Sequence, residues 1–177
     1  MTRGDASLRG KIKAMAKKSG LKPQELLRMY LFEHLLMRLE KSDYAETFVL
    51  KGGLLISSMT GIAQRTTMDM DATVTGMDMG EGTASAAISS ICSVAVGDGM
   101  EYSFERVELI RADDEYANWR AHLRARYGKI DAPIKIDITT GDEIAPGLIE
   151  YRHPLMFEDV VDSTLELTGL AEQVGLE

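Results

Sequence analysis

The most constraining feature of this chain is a strict alternation between residues 117 and 127. Ala117, Trp119, Ala121, Leu123, Ala125 and Tyr127 are interleaved with Asn118, Arg120, His122, Arg124 and Arg126. Side chains of a β-strand point to opposite faces in turn, so a period of two predicts a strand with one apolar and one basic face. Gly128 to Pro133 reads as a turn. Ile134, Ile136 and Ile138 then alternate with Lys135, Asp137 and Thr139, which predicts a second strand that Thr140-Gly141-Asp142 ends. A sheet with one apolar face needs a covering layer, and the rest of the chain must supply it.

Residues 7–19 and 23–41 read as helices. Pro23 suits a first helical turn, and Glu25 adds a favourable charge there. Leu27, Leu31 and Leu35 recur at four-residue spacing and predict a buried stripe that includes His34. A histidine in such a stripe reads as packed and hydrogen-bonded. Phe48-Val49-Leu50 predicts a short strand, Lys51-Gly52-Gly53 a glycine turn, and Leu54 to Met59 the start of a helix. Residues 68–74 and 101–111 read as further strands, with an Ala/Ser-rich helix over 82–96. The expected class is α+β on a mixed sheet, in one compact domain. It comprises a helical lead-in over 1–46, a core over 47–160 and an acidic tail over 161–177.

The 177 residues suffice for one buried core. The lone Cys92, set among Ala, Ser and Ile, excludes a disulfide framework within the chain and reads as an inert thiol. No apolar run approaches bilayer length and no secretory signal is visible, so a cytoplasmic location without a membrane partner is expected. The net charge of −8 is unevenly spread. Eight Lys/Arg face two acids over 1–28, whereas nine acids face Arg152 alone over 142–177. A globally acidic chain is a poor nonspecific binder of nucleic acid. The basic amino-terminal end and the Arg120, His122, Arg124, Arg126 stripe are the two local exceptions. Each reads either as a polyanion contact or as an ordinary solvated face.

Asp69-Met70-Asp71 resists a purely structural account. Positions two apart in a strand share a face, and two adjacent carboxylates repel unless a cation or donor compensates. Asp137 lies on the polar face of its own strand, between Lys135 and Thr139. If the strands are neighbours, three carboxylates converge, a donor set suited to Mg²⁺ and hence to displacement at phosphorus. Gly52-Gly53, between strand and helix start, lets amides approach an anion, or alternatively forms a tight turn and nothing more. Arg65 and Thr67 lie between the two motifs.

Phe48-Val49-Leu50-Lys51-Gly52-Gly53, followed by Arg65-Thr66-Thr67-Met68-Asp69-Met70-Asp71, resembles the first signature of the AbiEii/AbiGii-type toxin nucleotidyltransferases. These belong to the DNA-polymerase-β-like nucleotidyltransferase superfamily. Lys135-Ile136-Asp137 resembles the second signature. The resemblance implies a nucleotidyltransferase core that moves a nucleoside monophosphate from an NTP to an acceptor hydroxyl, with tRNA or other RNA as the acceptor. It implies Mg²⁺ held by Asp69, Asp71 and Asp137, with Asp137 also orienting or deprotonating the acceptor. Gly52 and Gly53 would cradle the triphosphate, supported by Lys51, Arg65, Thr67 and Lys135. A toxin role in a toxin–antitoxin or phage-defence pair, with a cognate antitoxin, is implied as well.

The chain departs from the family pattern in placing Leu54 after the paired glycines and in having no lysine beyond Lys135. The family's carboxy-terminal helical region is therefore expected to be missing. That leaves two alternatives beside the main reading: a catalytically weak, shortened binding module, or a nucleotidyltransferase acting on a small molecule.

Overall fold

The computed structural model describes residues 3–51, 70–74, 80–112, 117–139, 148–154 and 164–170. In chain order these form α1 (Arg3–Ser19), α2 (Pro23–Lys41), β1 (Phe48–Lys51), β2 (Met70–Val74) and α3 (Glu81–Cys92). β3 (Glu101–Ala112), β4 (Ala117–Tyr127), β5 (Ile130–Thr139), β6 (Leu148–Pro154) and β7 (Thr164–Leu170) follow. The described strands make one mixed sheet in the order β3-β4-β5-β2-β1-β7-β6. The α+β class expected from the sequence is the class observed.

The alternation in β4 and β5 organises this sheet. Ala121, Leu123, Ala125, Ile134, Ile136 and Ile138 are all buried, while Asp131, Pro133 and Lys135 on the opposite face are exposed. Met70, Ala72 and Val74 of β2 continue the buried face. The helices cover it: Leu8 and Ile12 of α1, Leu26, Phe32 and Leu36 of α2, and Ile88 and Ile91 of α3 belong to the same core. Fully burying one such side chain is worth about 1.5–3 kcal/mol, so this layer is the main source of stability.

Four expectations change, the simplest being that the Ala/Ser-rich helix expected over 82–96 ends at Cys92. The turn placed at Gly128–Pro133 contains only Gly128 and Lys129, and β5 starts at Ile130. Pro133 thus lies inside a strand. β2 pairs with β5 only from Ile136 onward, so Pro133 falls where β5 has one described neighbour and a missing amide is tolerated. Gly128 adopts φ +59, and an alanine Cβ there would meet the Asp5 side chain, with Cγ at 2.5 Å. The same tight turn seats Asp5, whose Oδ2 accepts the Lys129 amide at 2.8 Å. α1 accordingly starts at Arg3, earlier than its apolar pattern suggested. Finally, residues 164–170, read as part of an acidic tail, form β7 between β1 and β6, parallel to β1. Segment 54–59, expected to open a helix, lies outside the described residues.

α2 is anchored from within. Arg38 Nη1 and Nη2 donate to both Asp98 oxygens at 2.8 Å, and Nη2 donates to the Met100 carbonyl at 2.9 Å. His34 Nδ1 lies 2.7 Å from Asp98 Oδ2, so the histidine is packed and hydrogen-bonded as its stripe predicted. The Arg38 guanidinium also lies over the Tyr102 ring, 4.5 Å from its centre. Burial alone would raise the Asp98 pKa, but hydrogen bonds from His34, Arg38 and the Met100 amide outweigh it and hold the carboxyl well below the usual range. Nearby, burial pushes the Cys92 thiol up to about 12, which makes it a packing group.

Removing Asp98 leaves a buried guanidinium without its counter-charge, so Asp98→Ala is expected to lose about 3–5 kcal/mol in chemical denaturation. The folded Asp98 pKa is depressed, so its stabilisation is fully present above the ordinary value of 3.8 and is lost as pH falls below it. In Asp98→Asn the stability below pH ~4 should therefore fall less steeply with acid than in the parent chain. An equal slope would remove Asp98 from the acid response. Gly128→Ala is expected to cost about 1–3 kcal/mol through its left-handed backbone and the Asp5 contact.

Candidate nucleotide-transfer site

Strand register decides which polar groups meet. Asp71 of β2 is opposite Asp137 of β5 in a parallel pair, and Lys51 of β1 is opposite Asp71 on the other side. Asp137 is opposite Arg120 of β4, and Arg120 is opposite Glu108 of β3. Lys51, Asp71, Asp137, Arg120 and Glu108 thus occupy one row across five strands. Parallel register partners share a face, so the two aspartates lie side by side on the face turned away from the helical layer. Asp is a poor strand former, and two in adjacent central positions are an arrangement that packing alone does not favour.

Arg120 answers part of this charge. Its Nε donates to Asp137 Oδ1 at 2.7 Å and its Nη2 to Oδ2 at 3.1 Å. This two-pronged geometry fixes the plane of the carboxylate. The side chains are 33% and 24% exposed, so the pair sits at a solvent-accessible surface. Lys135 is exposed two residues earlier on β5, opposite His122. Lys51 occupies the last position of β1.

Gly52, Gly53, Arg65, Thr67 and Asp69 lie outside the described residues. Of the residues singled out from sequence, the structure therefore brings Asp71 and Asp137 together, with Lys51 and Lys135 in nearby register positions. Among the described residues no three His, Cys, Asp or Glu side chains cluster as a ready metal cage. Asp71 and Asp137 alone offer two neighbouring carboxylates, a donor set that fits a hard, oxygen-seeking divalent cation. The bond to Arg120 leaves further lone pairs on both Asp137 oxygens.

The basic stripe of β4 is paired with acidic side chains. Arg124 Nη1 donates to Asp131 at 2.7 Å and Nε lies 3.8 Å from Glu105. Arg126 lies 3.7 Å from Asp131, and His122 Nε2 is 2.8 Å from Glu108. These partners hold the Asp131 and Glu108 carboxyls below their ordinary pKa, with the Arg124 and His122 hydrogen bonds as the respective leading causes. Every member of the stripe thus has an acidic partner on β3 or β5. The solvated-face alternative describes it, and the polyanion argument drawn from it lapses. Sequence reasoning missed Arg120 as the partner of Asp137. The signal was the turn: once it is limited to Gly128 and Lys129, hairpin register pairs 120 with 137.

A family model described as the nucleotidyl transferase AbiEii toxin of type IV toxin–antitoxin systems matches residues 34–173. The chain belongs to the AbiEii family. Its β1, β2, α3 and all later described strands fall inside the matched segment. Among solved structures, a Helicobacter pylori protein assigned as a nucleotidyltransferase is 17% identical, over 67% of this chain and 46% of its own, at a TM-score of 0.42. JHP933 from Helicobacter pylori is 16% identical, over 70% of this chain and 47% of its own, at a TM-score of 0.44. The chain thus spans about half the length of these relatives. No curated protein matches significantly.

The Arg120–Asp137 pair is partly exposed, and such pairs contribute little net stability. Arg120→Gln is expected to cost no more than about 1 kcal/mol by urea denaturation. A loss several times larger would mean that the pair supports the fold as well as orienting Asp137.

Proposed function

We propose that the chain is a Mg²⁺-dependent nucleotidyltransferase that moves a nucleoside monophosphate from an NTP to an acceptor hydroxyl, probed best with RNA. The observation that carries this is the register pairing of Asp71 with Asp137 in a chain of the AbiEii family. Asp69, Asp71 and Asp137 would hold the metal, which supplies Lewis-acid stabilisation of charge on the triphosphate oxygens. Gly52 and Gly53 would bring backbone amides to the triphosphate, with Lys51, Arg65, Thr67 and Lys135 as polar contacts. The acceptor oxygen bonds to the α-phosphorus as the bond to the pyrophosphate oxygen breaks. Asp137, its carboxylate plane held by Arg120, orients that hydroxyl and takes its proton, and pyrophosphate leaves.

The biological reading that accompanies this chemistry is a cytoplasmic toxin held in check by a cognate antitoxin, in a toxin–antitoxin or phage-defence pair. The family description supports the antitoxin partner. Among the described residues no helix is long and apolar enough to cross a membrane. With the β4 stripe neutralised, a small-molecule acceptor remains an alternative that the acceptor panel must include. The second reading, a nucleotide-binding module of weak activity, is favoured by one observation: Arg120 already engages both oxygens of Asp137.

Asp71→Asn and Asp137→Asn are each expected to lower labelled-NTP transfer to total tRNA by about 10²-fold or more, with the far-ultraviolet spectrum unchanged. Undiminished transfer in both would remove these carboxylates from the site. Calorimetry with Mg²⁺ and each NTP separates the readings. Metal-dependent nucleotide binding without turnover on any acceptor favours the binding module.

A further inference from the structure

One strongly charged face plays no part in the site described above. α1 buries Leu8 and Ile12 together with its only acid, Asp5. Its exposed positions carry Arg9, Lys11, Lys13, Lys17 and Lys18, separated by Ala6, Ser7, Gly10 and Ala14. No acid lies on that outward face. Among the described residues, Arg9, Lys13, Lys17 and Lys18 form no ion pair, in contrast to each arginine of β4.

Charge of one sign gathered on one helix of an acidic protein is self-repelling, and an anionic partner relieves it. Arg9, Lys13 and Lys17 follow one another at four-residue spacing, which sets them about 6 Å apart along the helix axis in a single row. A regular row of cations matches a partner with regularly repeated charge. The small residues between them offer no apolar wedge for a membrane surface. Lysine is also depleted at the cores of protein–protein interfaces. α1 lies before residues 34–173, the segment that the family model matches.

We infer that the outward face of α1 binds the phosphate backbone of RNA, without reading its bases, and so holds the acceptor of the proposed transfer. The role as acceptor holder rests on the function proposed above; the binding itself does not.

The test is a salt titration of binding between the full chain and fluorescently labelled RNA, using a short single strand and a folded tRNA. In the triple variant Arg9→Gln, Lys13→Gln, Lys17→Gln, the slope of log affinity against log salt is expected to shrink by about two. Affinity near physiological salt is expected to fall on the order of tenfold. Arg124→Gln, in the neutralised stripe, should stay within about twofold of the parent. Circular dichroism checks that each variant is folded. Unchanged binding in the triple variant, an equal loss in Arg124→Gln, or no RNA binding by the parent chain would overturn the inference. Competition by polyglutamate as effective as by RNA would also overturn it, in favour of an acidic protein partner. RNA binding through α1 without any nucleotidyl transfer would support this inference while overturning the function reading. Transfer to RNA that is insensitive to the α1 substitutions would do the reverse.

Discussion

The burial of one face of β4 and β5 against three helices is the constraint from which the rest follows. Once Ala121, Leu123, Ala125, Ile134, Ile136 and Ile138 are committed to the core, the intervening side chains must share the opposite face. These are Arg120, His122, Arg124, Arg126, Asp131, Lys135 and Asp137, spaced at strand intervals across neighbouring strands. Opposite charges in register steady such a polar face, as Arg120 with Asp137 and Arg126 with Asp131 do. Asp71 enters the same face because β2 slots beside β5 with Met70 and Ala72 turned inward. The candidate site is thus a by-product of where the apolar residues went.

Electrostatics then divides the molecule in two. On the sheet, the basic side chains of β4 are each paired at short range with an acid of β3 or β5. On α1 the cations are ordered by helical rather than strand periodicity, and the one acid is turned inward to hold the Lys129 amide. The same residue types therefore act differently according to the spacing of their partners. Arginine content alone would have ranked the β4 stripe above α1, whereas their surroundings rank them the other way. Asp98 shows the buried extreme, where one carboxylate serves both Arg38 and His34 and ties α2 to the segment entering β3.

Much of the fold was legible because its periodicities are strong. The β4 alternation is unbroken, α2 carries an apolar stripe behind Pro23, and the isoleucines of β5 repeat at every second position. What escaped was set by single residues in special settings. Pro133 looked like part of a turn, since nothing local reveals that β5 has only one described neighbour there. Asp5, nominally a surface acid, buries itself against the hairpin turn and extends α1 to Arg3. Residues 164–170, with acids on either side, read as a tail in isolation, because their strand character depends on β1 and β6 as partners.

Residue order by itself determined the apolar faces of β4 and β5, the helical stripe of α2, and that Asp71 and Asp137 are polar-face residues of two strands. Those properties depend on spacing along one chain. Only the tertiary structure decided that the two aspartates are neighbours, that Arg120 engages Asp137, and that, among the described residues, the β4 stripe is paired with acids while Arg9, Lys13 and Lys17 of α1 are not. Register between strands and the burial of Asp5 are long-range outcomes. They are set by how distant apolar surfaces pack together, which no local pattern encodes.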